Sequence, residues 1–250
     1  MELRILENVQ EAGYLCARKA ADILTDCVNR NGYARFMIAT GQSQLEFYNA
    51  ILQMDVPWEK IELFHLDEYV GLDETHKASF VGYIKERFVR HIHPLAVHYI
   101  EGTKEIGPMI EELNKAVSEK PVDVVMIGFG ENAHIAFNDP PADFESTDPY
   151  RLVTLDERCK KQQVGEGWFA TVDDVPKQAV SASVNFIKSC KNIVSLIPYR
   201  VKAEAVKAVL EAKEVTPDIP GTAIKDHPNW FLYMDRESSS LLDMSKLVVY

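Results

Sequence analysis

A strand of the buried type that ends in two glycines and a dense polar cluster constrains this chain more than any other feature. It is the run Val122-Asp-Val-Val-Met-Ile-Gly-Phe-Gly-Glu-Asn-Ala-His-Ile-Ala-Phe-Asn-Asp-Pro-Pro141. Its first half is apolar and β-branched, long enough for one covered strand and too short for a membrane span. Gly128 and Gly130 break that strand, and Glu131, Asn132, His134, Asn138 and Asp139 follow at once. In open α/β sheets, sites lie where strands end, at their carboxyl edge. An imidazole set among carboxylates and amides at such an edge suits a site. It also suits a polar loop in which His134 bonds only to backbone.

Three other stretches repeat the sequence of strand, break and polar turn. Phe36-Met-Ile-Ala runs into Thr40-Gly41-Gln42-Ser43, and a helix begins near Leu45. Glycine with hydroxyls between a strand and a helix start offers backbone N–H groups to an anion. A simple N-cap by Ser43 is the other reading. The loop lacks the Gly-Lys-Ser/Thr end of a Walker A motif. Ile61-Glu-Leu-Phe-His-Leu ends in Asp67-Glu68-Tyr69-Val70-Gly71-Leu72, whose paired carboxylates are candidates for proton transfer or a solvated turn. Asn192-Ile-Val-Ser-Leu-Ile-Pro leads to Tyr199-Arg200-Val201-Lys202, the opening of a helix that runs to about Lys213. Lys202 stands in the first turn, where the helix dipole disfavours a cation. A bound anion accounts for it, and so does a solvent-facing side chain.

Between these stretches the pattern is mostly helical. Apolar residues from Val9 to Leu24 recur at helical spacing within a helix of about Asn8 to Asn29, and Asn31-Gly32 stops it. No strand is expected ahead of that helix. Further helices are expected over roughly Ser79–Arg90 and Lys104–Glu119, after Asp156 as a cap, and from Ser183 toward Lys188. Tyr99-Ile100 reads as an edge strand, Arg151-Leu-Val-Thr-Leu as a strand, and Trp230-Phe-Leu-Tyr-Met as the last strand, with Asp235 capping a short helix. Gly165-Glu-Gly-Trp-Phe-Ala is a loop that can reach toward the site. His91 and His93 could share a metal, but no third ligand is evident nearby, so no metal is expected.

Strands alternating with helices predict a doubly wound, mostly parallel sheet with helices on both faces, a Rossmann-like three-layer α/β fold. Residues 1–250 are read as one domain. In a parallel sheet the Thr40, Asp67, Gly128 and Tyr199 turns all gather on one edge, which makes a shared pocket the better account of four separate coincidences. A net charge of −11 argues against a duplex nucleic-acid partner, because phosphate contacts need a basic footprint. It does not exclude a small anion held by a few local donors. No apolar run reaches the roughly 20 residues of a spanning helix, and the first residues lack the charged-then-apolar order of a signal peptide. Four scattered cysteines, Cys16, Cys27, Cys159 and Cys190, fit a reducing cytoplasm.

Asp67-Glu-Tyr-Val-Gly-Leu together with Gly130-Glu-Asn-Ala-His-Ile-Ala-Phe-Asn-Asp-Pro resembles the glucosamine-6-phosphate deaminase/isomerase family. The likeness runs in matching order from the Thr40 loop to the Lys202 helix. The related 6-phosphogluconolactonases usually follow the histidine with Thr-Ala-Ser and have Asp-Glu-Arg in the first motif. The resemblance implies isomerisation of an amino-sugar phosphate and loss of ammonia, without a cofactor. It implies Asp67 as the base that moves a proton from C2 to C1, His134 for ring opening, Asp139 to orient that imidazole, and Asn132 as a contact. Thr40, Gly41, Gln42, Ser43 and Lys202 would hold the 6-phosphate.

Several positions depart from the family pattern. Asp139 stands where Glu is common, Ala133 replaces the usual Gly and is therefore expected to need no positive φ, and the phosphate loop reads Gly-Gln-Ser. Gly167 occupies the place of a family arginine, for which Arg158 is a substitute at different spacing. Arg151 matches one residue of the allosteric site found in regulated members, but Val153 stands where its lysine would be, so no activation by a second sugar phosphate is expected. The partner is thus a small sugar phosphate, with no nucleic acid or membrane, and a homo-oligomer is compatible with the family. Alternatives are a same-fold enzyme on another sugar phosphate, such as a galactosamine 6-phosphate deaminase or a lactonase, and a non-catalytic sugar-phosphate sensor.

Overall fold

The computed structural model describes residues 1–165 and 167–248, without the side chain of Arg158. The strands are β1 (Glu2–Leu6), β2 (Ala34–Ile38), β3 (Ile61–His65), β4 (Asp67–Tyr69), β5 (Ala96–His98), β6 (Val124–Ile127), β7 (Tyr150–Thr154), β8 (Gln178–Ala182), β9 (Ile193–Ile197) and β10 (Trp230–Asp235). The helices are α1 (Val9–Asn31), α2 (Leu45–Ile51), α3 (Phe80–Arg87), α4 (Ile106–Ser118), α5 (Glu157–Gly165), α6 (Val184–Ser189) and α7 (Ala203–Glu211). Among the described residues, seven strands form one sheet in the order β1-β10-β9-β6-β2-β3-β5. Every pairing in it is parallel. All residues of β2, β6 and β9 are buried. Successive side chains of a strand point to opposite faces, so that burial requires cover on both sides, which the helices supply.

Local chemistry explains the long helix that anchors one face. The Asn8 side chain accepts the Glu11 N–H at 2.9 Å, and the Glu11 carboxylate accepts the Glu7 N–H at 3.1 Å. At the other end Gly32 adopts φ 80°, and its N–H bonds to the Val28 carbonyl at 2.8 Å. The buried stripe of α1 is rich in alanine and cysteine, which lets the helix lie close to the sheet. Gly13 lets α2 approach closely: a Cβ there would stand 2.6 Å from the Cβ of Glu46.

The chain winds outward from β2 through β3 to β5, then returns to place β6 on the other side of β2. The crevice at such a reversal is where ligands bind in open sheets. A second sheet, β4-β8-β7, is antiparallel and was not expected from the sequence. It grows out of the first. The Leu66 N–H still bonds to the Ile38 carbonyl of β2 at 3.1 Å, while its carbonyl accepts the Ala182 N–H of β8 at 2.9 Å. At Leu66 the chain therefore leaves one sheet for the other, and Asp67 is the first residue past the junction.

Other corrections are local. The residues ahead of α1 form β1, a half-exposed edge strand. The expected edge strand at Tyr99-Ile100 lies earlier, at β5. The 79–90 helix ends at Arg87 and continues as a 3-10 turn over Val89–His91. After Asp235 comes a turn rather than a helix, with the Ser238 N–H donating to Asp235 at 2.7 Å.

One ion-paired cluster at the amino end of the sheet ties α4 down. Arg35, 1% exposed, donates to Glu62 at 2.7 Å, to the Val117 carbonyl at 3.0 Å, and to the carbonyls of Ala116 and Lys120. His98 lies 2.8 Å from the other Glu62 oxygen. Burial by itself would raise the Glu62 carboxyl, but the bonds from His98 and Arg35 outweigh it and hold it below the usual range. A depressed carboxylate stabilises the fold above its unfolded pKa, and that stability is lost as pH falls through the folded value. Replacing Arg35 by Met is expected to lower unfolding free energy by about 3 kcal/mol, since buried acceptors lose their donor. Urea denaturation near neutral pH measures it, and an unchanged midpoint would show the cluster to be inert.

Candidate active site

The Gly128, Thr40, Asp67 and Tyr199 turns follow β6, β2, β3 and β9, four neighbouring strands, and they line one cavity of about 810 Å³ at the carboxyl edge. That volume lies within the range of small-molecule sites. The cavity brings together Thr40, Gly41, Gln42, Ser43, Asp67, Asn132, His134 and Lys202. Asp139 stands behind His134. Arg158 lies on α5, and its side chain falls outside the described residues.

The two adjacent carboxylates at the junction have different work. Glu68 is fully engaged: it accepts the Tyr69 N–H at 2.8 Å, the Ser79 hydroxyl at 2.9 Å and the Val81 N–H at 2.8 Å. It thereby fastens the start of α3, whose Phe80 and Tyr83 line the cavity. Asp67 lines the cavity, is 7% exposed, and meets no hydrogen-bond donor among the described residues. Burial, with the neighbouring Glu68 charge second, pushes its carboxyl up to about 8. The solvated-turn reading of this pair is thus wrong for both residues.

The 130–139 loop is held by its own hydrogen bonds and by the second sheet. His134 packs against Gly130: a Cβ at Gly130 would lie 2.1–2.4 Å from the ring atoms. The Gly130 N–H donates to the His134 carbonyl at 2.9 Å. Asn132 bridges the loop, accepting the His134 N–H at 3.2 Å and donating to Asp139 Oδ1 at 3.0 Å. His134 Nδ1 lies 3.0 Å from the same oxygen. Burial would raise Asp139, but the His134 and Asn132 contacts prevail and hold it below the ordinary range. The Phe137 N–H donates to the Ser181 hydroxyl at 3.0 Å, and the Asn138 amide donates to the Ala182 carbonyl at 2.8 Å, so β8 carries this loop as well as Asp67.

Ala133 corrects an expectation. It adopts φ 65°, and Ala136 adopts φ 50°, so the loop needs left-handed backbone on both sides of His134 although neither residue is glycine. The Gly221 N–H, bonded to the Ala133 carbonyl at 2.9 Å, braces the first of these turns. Ser43 is not the cap of α2, which begins through a 3-10 turn after Gly41 at φ 109°. Lys202 is not solvent-facing: it is 8% exposed and forms part of the cavity wall.

Several lining residues escaped the sequence reading. Gln44 is 2% exposed and donates to the Leu196 carbonyl at 3.3 Å, bridging the β2 loop to β9. Lys77 donates to the Gly167 carbonyl at 2.7 Å and joins the loop before α3 to the 165–169 segment, which, as expected, reaches the cavity through Gly165 and Trp168. Tyr83 donates to the Gly41 carbonyl at 3.2 Å. A polar residue directly after the Thr40–Ser43 turn was a usable signal for Gln44; Lys77 and Tyr83 had none. Arg151 pairs with Asp143, away from the cavity lining. The four cysteines are buried, and no helix among the described residues is long and apolar enough to cross a membrane.

A parallel sheet with a cavity at its switch point, lined by Asp67, His134 and Lys202, defines an α/β protein with a candidate small-molecule site at the strand ends. The profile of the family described as glucosamine-6-phosphate isomerases/6-phosphogluconolactonase matches residues 7–232. A glucosamine-6-phosphate deaminase of Streptococcus suis (strain 05ZYH33) is 33% identical over 244 residues, covering 97% of this chain and all of that protein. One from Lactobacillus delbrueckii subsp. bulgaricus is 31% identical with the same coverage. Among solved structures, a monomeric glucosamine-6-phosphate deaminase superposes with a TM-score of 0.87 at 29% identity, over 96% of this chain and all of the other. A 6-phosphogluconolactonase from Thermotoga maritima shares the fold with a TM-score of 0.75 at 16% identity, over 94% of this chain and 99% of the other. The chain belongs to the glucosamine-6-phosphate isomerase/6-phosphogluconolactonase family.

Proposed function

We propose that this protein is an amino-sugar-phosphate isomerase/deaminase that converts glucosamine 6-phosphate and water to fructose 6-phosphate and ammonia. The observation that carries the reading is one cavity lined by Asp67, a buried carboxylate that meets no donor among the described residues, and by His134, with Asp139 behind the imidazole. His134, oriented by Asp139 and Asn132, moves a proton between the ring oxygen and the anomeric hydroxyl, which opens the ring. Asp67 takes the C2 proton, an enolamine forms, and the same carboxyl returns the proton to C1. The resulting ketimine is hydrolysed, releasing ammonia. One carboxylate can serve both carbons because they lie side by side on a planar intermediate, and a carboxyl raised toward neutrality is a better base than an exposed one. Deaminase relatives at 31–33% identity over their whole length support the deaminase rather than the lactonase reading.

The Thr40–Ser43 turn and Lys202 hold the 6-phosphate. Replacing Lys202 by Ala is expected to raise KM about 10–100-fold with kcat little changed, because it removes binding common to ground and transition states. A loss confined to saturating substrate would place Lys202 in the chemistry. The test of the whole reading is product release from glucosamine 6-phosphate: ammonia and fructose 6-phosphate in equal amounts support it. Turnover of 6-phosphogluconolactone in their place overturns it.

A further inference from the structure

Tyr199 sits at φ 75°, ψ 144°, a region of backbone space open to glycine and closed to almost every other residue. Gly41, on the turn after β2, occupies the same region at φ 109°, ψ 163°. Two loops at the switch point thus need the same kind of turn, and one of them makes it with a tyrosine. Glycine at 199 would carry no strain, so the retained aromatic side chain calls for a role of its own.

The surroundings indicate that role. Tyr199 lines the cavity beside Thr40, Gly41 and Lys202. Its N–H donates to both oxygens of Asp235, at 3.1 and 3.3 Å. Asp235 is 3% exposed and also accepts the Ser238 N–H at 2.7 Å. The Tyr199 carbonyl accepts the Lys202 N–H at 3.0 Å, so one anchored turn sets both side chains. Burial, with Glu46 and Asp235 as the nearby acids, keeps the phenol above its ordinary value, hence a proton donor throughout the physiological range.

We infer that Tyr199 is a phosphate-binding residue whose phenol O–H donates to a phosphoryl oxygen beside Lys202, and that Asp235 is the positioning residue holding the strained turn. This rests on reading the cavity as a sugar-phosphate site. The experiment compares wild type, Tyr199→Phe, Tyr199→Gly and Asp235→Ala by calorimetric titration with inorganic phosphate, steady-state kinetics and thermal unfolding. Tyr199→Phe is expected to weaken phosphate binding and raise KM together by about 5–20-fold, with kcat unchanged. Tyr199→Gly is expected to lose as much binding yet unfold a few degrees higher, since strain is relieved. Asp235→Ala is expected to raise KM with the phenol intact. Wild-type values for Tyr199→Phe in both Kd and KM overturn the inference, even where wild-type turnover upholds the deaminase reading. Weakened phosphate binding in a protein that leaves glucosamine 6-phosphate untouched upholds the inference and removes that reading. A wild type that neither binds phosphate nor turns over removes both.

Discussion

Replacing Asp67 by Asn is expected to cut turnover of glucosamine 6-phosphate by about 10²–10⁴-fold, with phosphate binding retained and the fold made more stable above neutral pH. The two effects share one cause. Asp67 is buried beside Glu68, and its carboxyl is pushed up to about 8. A folded pKa above the unfolded one means that the native state holds a proton that the unfolded chain has released. Stability from this group is therefore present at acid pH and lost as pH rises from about 4 to about 8. Asparagine carries no such penalty, so the gain in unfolding temperature should grow across that window. The same protonation places the rising limb of kcat/KM near pH 8. A substrate ammonium in the cavity favours the carboxylate, so the limb of kcat should lie lower. Unchanged turnover in Asp67→Asn would remove Asp67 as the base; coincident limbs would separate the substrate amine from it.

Replacing Gly130 by Ala is expected to lower kcat at least about 10²-fold and to reduce stability by about 1–3 kcal/mol. The added Cβ would overlap the His134 ring, whose Cε1, Nε2 and Nδ1 lie 2.1, 2.3 and 2.4 Å from that point. The loop cannot yield easily. Its backbone is tied by the Gly130-to-His134 bond and by the bond from Gly221 to Ala133. The ring must therefore swing away from Asp139, and the proton route at the ring oxygen goes with it. Kinetics and urea denaturation of the same preparation separate the two losses. A stable variant of full activity would dismiss His134 from the reaction.

Much of the scaffold was legible because its signals are local. Apolar runs of strand length, each broken by glycine or a polar turn and followed by a helical pattern, specify a parallel sheet whatever the long-range contacts are. That logic put the Thr40, Asp67, Gly128 and Tyr199 turns on one edge, and the cavity collects them there. The second sheet was not legible. Gln178-Ala-Val-Ser-Ala holds one β-branched residue and no alternation, so β8 forms through its pairing with β7 on one side and β4 on the other. β1 carried a weaker form of the same problem, a half-exposed edge strand whose residues form no continuous apolar run.

From residue types and spacing alone, the chain determined its α/β class, the edge on which its cavity lies, and several of the side chains gathered there. Tertiary structure decided the properties of those side chains. Asp67 became a buried group with a raised pKa where two sheets part, Glu68 became a fastening for α3, and Lys202 became cavity wall. Ala133 and Tyr199 took backbone conformations that their side chains disfavour. The division has a physical reason. Strand and helix periodicity acts over neighbouring residues, whereas burial, and strain held in place by partners such as Gly221 and Asp235, arise from segments far apart in the chain.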